Sequence, residues 1–300
     1  MSKEKPIKHR ESLSRKVFVA CNYILCLLFG LICLLPMLHI LAVSLSSKLA
    51  VFSGNVVFAP VDFTLDNYRF VMRDSQFFHA YGVTVLRTAL GWAVSIVLLV
   101  LAAYPLSLPQ SRFGAKNLFT WYFVVIMLFG GGMIPTYLVV NATGLIDTIW
   151  ALVIPGALSV FNLILMKNYF KTLPEALYEA AYMDGAGHVT TLVRIILPLS
   201  LPALASISLF IIMGHWNAYF DGMIYIRNEK LKPLQTYLRS VIIVAPSPDD
   251  AANVESLEQN LTPDATNGAK IFLGLLPIMA LYPFFQKYFA QGIVRGSVKE

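Results

Sequence analysis

Long apolar runs separated by polar segments organise the whole chain. Six of these runs reach the length of about 20 residues that an α-helix needs to cross a bilayer. They cover approximately 17–43, 82–106, 118–140, 148–167, 200–224 and 271–290. Because a membrane span must satisfy its own backbone hydrogen bonds, runs of this length indicate helices. The pattern therefore predicts an all-α integral membrane fold with six transmembrane helices.

The polar segments define the predicted domain organisation. A short segment, 1–16, precedes the transmembrane domain, 17–290, and a tail, 291–300, follows it. Inside the domain, long polar segments cover 44–81, 168–199 and 227–270.

Lysine and arginine are distributed unevenly between the two predicted sides of the membrane. With the N-terminus in the cytoplasm, the cytoplasmic pieces hold 14 Lys and Arg against 6 acids, and the rest of the chain holds 9 against 11. These pieces are 1–16, 107–117, 167–199 and 287–300. Since cytoplasmic loops of membrane proteins carry the basic excess, both termini and 168–199 are predicted to be cytoplasmic, with 44–81 and 227–270 outside.

Composition agrees with a membrane protein and excludes several other classes. Hydrophobic residues make up 57% of the chain, the mean hydropathy is +0.66, and only 13% of residues are charged, against about 25% in globular proteins. The net charge of +6 forms no basic stripe interleaved with aromatic residues, so nucleic-acid binding is not indicated. Cys21, Cys26 and Cys33 all fall in the first run, without metal-ligand spacing, and predict no disulfide framework.

The predicted spans contain few ionisable residues. An ion-coupled secondary sugar transporter, which is the alternative class, usually has Asp, Glu or His within its spans. Here Arg87 and Asp221 fall near outer ends, where Arg87 is expected to reach the interface, and only His215 is placed deeper. The scattered histidines and unpaired carboxylates predict no catalytic residue and no metal site. The chain also lacks the Gly-x-x-x-x-Gly-Lys-Ser/Thr loop, so it is expected to bind no nucleotide.

The polar segment 168–199 has a defined predicted anatomy. Thr172 and Glu175 form a possible capping box at the start of a short helix, which is expected to carry a surface of small residues after Glu179. Gly185 can take the left-handed conformation that ends this helix. A second short helix then runs to about 196, and Pro198 is expected to end it.

This segment resembles the signature of the membrane subunits of ABC importers, which is Glu-Ala-Ala, three residues, Gly, nine residues and Ile-x-Leu-Pro. By this resemblance the segment is a coupling loop that contacts an ATPase. The residues that the resemblance assigns to ATPase coupling are Glu179, Ala180, Ala181, Asp184, Gly185, Ile195, Leu197 and Pro198.

Further segments resemble the MalG-like permeases of the carbohydrate uptake branch, in a subgroup associated with complex oligosaccharides, including those from acidic polysaccharides. They are 63–68, 133–137, 216–217, 233–235 and 282–289. The resemblance implies the type I importer fold, placement in the bacterial inner membrane and alternating access. It also implies a heterodimer with a second homologous permease, an extracytoplasmic solute-binding protein, and two ATPase subunits that use ATP and Mg, with no cofactor bound by this chain itself.

Sugars are bound by aromatic faces and by amide, hydroxyl or charged side chains. Residues of these types within or beside the predicted spans are therefore the candidates for lining a substrate path. The set is Trp216, Asn217, Tyr219, Tyr137, Asn162 and Arg87. Interfacial anchoring of the aromatic residues and hydrogen bonding between helices by the asparagines are the alternatives. In the resembling family the partner permease can also hold most of the sugar contacts. Gly130, Gly131, Gly132 and Pro135 predict irregular backbone inside the third run.

Overall fold

The computed structural model describes residues 13–243 and 262–296, and the parts of the predicted N-terminal segment, 227–270 loop and tail that fall elsewhere lie outside it. In the described ranges every regular element is helical. The α-helices are α1 Leu13–Ser44, α2 Lys48–Phe52, α3 Asp66–Arg73, α4 Ser75–Ser107, α5 Lys116–Leu128, α6 Met133–Ala142, α7 Val160–Lys171, α8 Glu175–Met183, α9 His188–Thr191, α10 Leu197–Leu199, α11 Leu201–Asn217, α12 Phe220–Tyr225, α13 Leu234–Ile243 and α14 Pro263–Gly296. Short 3₁₀ helices cover Ile149–Leu152 and Glu229–Leu231, and a π-helical turn covers Leu192–Ile196.

Three helices in the described part, α1, α4 and α14, are long and apolar enough to cross a membrane. Two pairs of shorter helices are each bent at a break: α5 with α6, by 114°, and 188–199 with α11, by 83°. If each bent pair counts as one span, the number of candidate spans rises to five. The break between α5 and α6 falls at the predicted glycine cluster, where Gly132 has a φ of +81°. The irregular backbone expected there is thus confirmed.

The expectation of one continuous span over 148–167 is wrong. The run contains the 3₁₀ helix Ile149–Leu152, a non-helical stretch, and then α7 from Val160. Pro155 and Gly156 lie in the non-helical stretch, and proline both lacks an N–H and clashes with the preceding helical turn. Ser159 then starts α7, because its side chain accepts a hydrogen bond from the backbone N–H of Asn162 at 3.4 Å.

The chain divides into two compact units, and the first contains residues 13–71 and 262–272 of the described part. Asn67 ties its loops together, because its side-chain amide donates to the carbonyl oxygens of Ser44 at 3.0 Å and Ser46 at 3.3 Å. Gly268 lies against α1, and a β-carbon there would meet the Ile40 carbonyl oxygen at 3.3 Å. Most of α1 is exposed and apolar, including all three cysteines, as expected for a helix that faces lipid.

The second unit, 72–243 and 273–296 of the described part, is built around α4. The C-terminal half of α4 packs with α7 and α11 in a core that contains Leu99, Ala103, Leu163 and Met166. Near the other end of α4, the Thr84 hydroxyl accepts from the backbone N–H of Leu234 at 2.7 Å and so fixes α13 against α4.

The loop after α6 is joined to the end of α12 through Asp147. Asp147 has a left-handed φ of +62°, and its backbone N–H donates to the Tyr225 carbonyl at 2.9 Å. Its carboxylate accepts a hydrogen bond from the backbone N–H of Arg227 at 2.6 Å and another from the backbone N–H of Asn228 at 2.9 Å. These backbone donors at Asn228 and Arg227 hold the pKa of Asp147 below its ordinary value. The short helix α12 is thereby held at a fixed place in the unit.

Candidate functional site

The turn between α8 and α9 ends α8 in a left-handed glycine. Gly185 has a φ of +72°, its N–H donates to the Tyr182 carbonyl at 3.0 Å, and the N–H of Ala186 donates to the Ala181 carbonyl at 2.9 Å. This pair of bonds is the Schellman arrangement, which satisfies carbonyls at a helix end. The left-handed Gly185 and the turn predicted from the sequence are thus confirmed.

The inner face of this segment belongs to the core of the second unit. Tyr178, Leu192 and Ile196 are buried in the same cluster as Phe170 of α7. Burial raises the pKa of the Tyr178 phenol above its ordinary value. A segment packed in this way transmits a displacement to α4 and α7, because close-packed interiors deform little.

The outer face of the segment is open to a partner. Glu179, Ala180, Asp184 and Gly185 are all exposed, and two large apolar side chains beside the turn, Met183 and Val189, are 88% and 75% exposed. Exposed apolar residues that cluster at a tip mark interaction sites more often than isolated ones do.

Two expectations about α8 are wrong. Ala181 is not on the surface but is only 3% exposed, because it lies one helical turn from the buried Tyr178 and shares its inward face. Thr172 and Glu175 form no capping box: the N-cap of α8 is Pro174, without a side-chain bond, and the Thr172 hydroxyl donates to the Tyr169 carbonyl at the end of α7.

The remaining motif residues lie where the segment turns into α11. Ile195 falls in the π-helical turn, which is a helix type often found at functional sites, and Leu197 and Pro198 form the start of α10. Pro198 does not end the helix, which continues to Leu199 before the 83° bend. Ile195 and Leu197 are half-buried, and Pro198 is exposed.

His188 links the two sides of the glycine turn to α4, a contact that sequence reasoning missed. Its ring lies 3.0 Å from the Tyr182 hydroxyl of α8 and 3.3 Å from the hydroxyl of the buried Tyr104 of α4. Arg112 lies over the ring of Tyr182, with its guanidinium carbon 4.3 Å from the ring centre. This His188 link joins the predicted coupling helix directly to a membrane span.

Arg87 is not at the interface as expected but is buried, with only 2% of its surface exposed. One guanidinium nitrogen pairs with the Asp221 carboxylate, and another donates to the Ala218 carbonyl at 3.1 Å. Its Nε is buried without a hydrogen-bond partner among the described residues. A buried guanidinium needs such partners, since an unpaired buried charge is costly.

Arg87 and Asp221 border a cavity of about 480 Å³, within the range of small-molecule sites. Of the six candidate substrate-path residues, the cavity brings Arg87 and Asn162 together. Ser95, Ser159 and His215 also line it, and of these three only His215 was predicted from the sequence to lie deep within a span. Gly91 makes room for His215, because a β-carbon at Gly91 would lie 2.6 Å from ring atoms of the histidine.

The other four candidates do not line this cavity. Trp216 is buried, and its indole N–H donates to the Gly274 carbonyl at 3.1 Å. Tyr137 stacks with Tyr225 at 6.3 Å between ring centres. Asn217 is exposed, and Tyr219, 37% exposed, lies under the Arg239 guanidinium at 4.5 Å.

No three His, Cys, Asp or Glu side chains come close enough to hold a metal ion together in the ranges that the structure covers. The site therefore comprises a turn exposed for a protein partner and a polar cavity among helices.

Comparison with known proteins identifies the family. The family described as "Binding-protein-dependent transport system inner membrane component" matches residues 24–231, and the chain belongs to this family. It is therefore an inner-membrane permease subunit of the ABC importer class, and the alternative of an ion-coupled transporter is not favoured.

Two relatives from Bacillus subtilis (strain 168) are similar over almost the whole chain. Protein LplC is 40% identical over 285 residues, which is 95% of each protein. The polygalacturonan/rhamnogalacturonan transport system permease protein YtcP is 38% identical over 96% of this chain and 100% of its own length. A solved bacterial ABC transporter involved in the import of the acidic polysaccharide alginate contains a chain 34% identical to this one, with a TM-score of 0.85 over 94% of this chain and 100% of that one. This likeness confirms the all-α type I permease fold.

Proposed function

We propose that this chain carries oligosaccharides, including fragments of acidic polysaccharides, into the cytoplasm as one permease of an ATP-driven importer. The observation that carries the proposal is the exposed Gly185 turn, which is packed on its inner face against the membrane helices. The names of the relatives support the substrate class, since one transports polygalacturonan or rhamnogalacturonan and another imports alginate.

The proposed assembly has a second homologous permease, two ATPase subunits and an extracytoplasmic solute-binding protein. The ATPases hold the segment 168–199, with Glu179, Gly185 and the apolar tip residues Met183 and Val189 at the contact. ATP and Mg bind to the ATPases and not to this chain. Both termini and 168–199 face the cytoplasm, and 44–81 and 227–270 face outward, as the charge distribution favours.

Uptake by reconstituted vesicles tests the energy source. The complete complex, with its binding protein outside, should accumulate sugar only when ATP is present on the cytoplasmic face. Uptake should continue after ionophores collapse the proton and sodium gradients. Accumulation in ATP-free vesicles under an imposed proton gradient would replace this proposal with the secondary-transporter alternative.

Labelling tests the orientation. Thr190 and Lys230 are both exposed and lie in segments proposed to be on opposite sides. In a variant without native cysteines, Thr190→Cys and Lys230→Cys should react with an impermeant thiol reagent from opposite faces of the membrane. Reaction of both from the same face would contradict the proposed topology.

A further inference from the structure

We propose that the cavity beside Arg87 and Asp221 holds one ring of the transported sugar and recognises its hydroxyl groups rather than its charge. This inference rests on the proposed function, and it assigns a sugar contact to this subunit itself. The cavity lies within the second unit, between α4, α7, α11 and α12.

Its polar side chains are available to a ligand. Among the described contacts, the side chains of Ser95, Asn162 and His215 make no hydrogen bond to protein, although Ser95 and Asn162 are only 4% and 7% exposed and His215 is 9% exposed. None of their polar atoms is among the fully buried, unpaired atoms of the described residues, so these atoms open onto the cavity, where the hydroxyl groups of a ligand can bond them. An amide, a hydroxyl and an imidazole both donate and accept, as sugar hydroxyls do.

The charges around the cavity cancel. Of the described residues that line it, Arg87 and Asp221 are the two with charged side chains other than histidine, and they form an ion pair with each other. A paired guanidinium and carboxylate present no net charge to a ring in the cavity. The ion pair of Arg87 and Asp221 therefore gives no electrostatic preference for a carboxylate.

Apolar side chains complete the site. Leu99, Leu152, Phe210 and Ile211 line the same cavity. Ligand sites in proteins are mainly apolar walls with a few polar groups that fix orientation. A sugar ring has apolar faces and a polar edge, and this cavity offers a matching surface to each.

Thiol protection tests the site in the complete complex. Gly214 lines the cavity, and a β-carbon there would meet nothing within 4 Å, so Gly214→Cys introduces a thiol without a clash. Thr143→Cys, on an exposed loop outside the cavity, is the matched control, with Cys21, Cys26 and Cys33 replaced by serine. The probes are trigalacturonate and its carboxyl-reduced, uncharged counterpart, which have the same ring hydroxyl pattern.

At about ten times its Kd, either sugar should slow labelling of Gly214→Cys about tenfold, because the unliganded fraction is 1/(1 + [L]/Kd). Labelling of Thr143→Cys should not change. The two apparent Kd values should agree within about threefold, less than a charge-assisted hydrogen bond would produce. Asn162→Ala should raise both values about fivefold, the effect of one lost hydrogen bond. Asp221→Asn leaves Arg87 unbalanced and should favour the acidic probe about tenfold or more.

The outcomes separate the two proposals. ATP-driven uptake of either probe without protection of Gly214→Cys overturns the cavity inference and leaves the proposed function standing. Protection by the acidic probe alone overturns recognition by hydroxyl groups. Absence of ATP-driven uptake of both probes overturns the proposed function for this sugar class, and the cavity inference with it. If Asp221→Asn fails to fold, Asn162→Ala still tests the cavity inference. Equal Kd values for the parent and for Asn162→Ala would contradict the proposed contact.

Discussion

Replacing Gly185 by alanine tests whether the shape of the exposed turn is required for ATPase docking. A β-carbon at Gly185 would meet nothing within 4 Å, so alanine introduces no steric clash with the rest of the structure. The left-handed φ of +72° remains the cost, and for an L-residue it is about 1–2 kcal/mol. Most molecules of the alanine variant therefore relax to other turn conformations. A cost of about 1–2 kcal/mol reduces the fraction of molecules that keep the docking-competent turn about 5- to 30-fold. The apparent Kd for the ATPase should rise by the same factor.

The assay is a titration of detergent-solubilised permease heterodimer with purified ATPase subunits. Gly187 provides the control, because it lies two residues away in the same turn, has a φ of −72° and also has open space around its β-carbon position. Gly187→Ala should therefore change the Kd less than about twofold, since no left-handed strain arises. Gly185→Asn should fall between the two, because asparagine tolerates this conformation. Equal Kd values for Gly185→Ala and Gly187→Ala would refute the reasoning.

Three further predictions concern contacts between helices. His188→Ala removes the His188 link to α4, so the ATP hydrolysed per sugar transported should rise about fivefold, the effect of about one hydrogen bond; an unchanged ratio would show that the link transmits nothing. Gly91→Ala forces a β-carbon against His215 and should cost about 1–3 kcal/mol in the free energy of unfolding, whereas Gly82→Ala, in open space on the same helix, should cost nothing. Arg87→Met leaves Asp221 unpaired and should cost about 3 kcal/mol, and a double-mutant cycle with Asp221→Leu should recover most of it; additive losses would contradict the pairing.

Local rules account for what the sequence predicted of the coupling segment. A glycine after a short amphipathic helix is a helix-stop signal that depends on neighbouring residues alone, and Gly185 adopts the conformation that the signal requires. The glycine cluster before α6 is a signal of the same kind. The burial of Ala181 was also accessible, since its spacing of three residues from Tyr178 places both on one helix face.

Long-range pairing is what the sequence could not supply. Arg87 and Asp221 are 134 residues apart, and neither position indicates by composition that it faces the other. Because the sequence alone does not reveal this ion pair, it predicts Arg87 at the membrane interface and gives no indication of the cavity beside it. The division of 148–167 has a different, local cause: apolar length by itself predicts one span, whereas Pro155 and Gly156 interrupt the helix within the run.

The interruption between α11 and α12 explains why Arg87 is buried at all. The helix ends at Asn217 and restarts at Phe220, which frees the carbonyl of Ala218 inside a membrane domain. Such a break persists only where protein groups or water replace the lost helical bonds. Arg87 supplies the donor to Ala218, and Asp221 balances the charge that this donor brings with it. The pair therefore stabilises the break, and the break contributes polar groups to the wall of the cavity. Since Asp221 already neutralises Arg87, the proposed uptake of acidic sugars requires that any preference for their charge come from residues other than this pair.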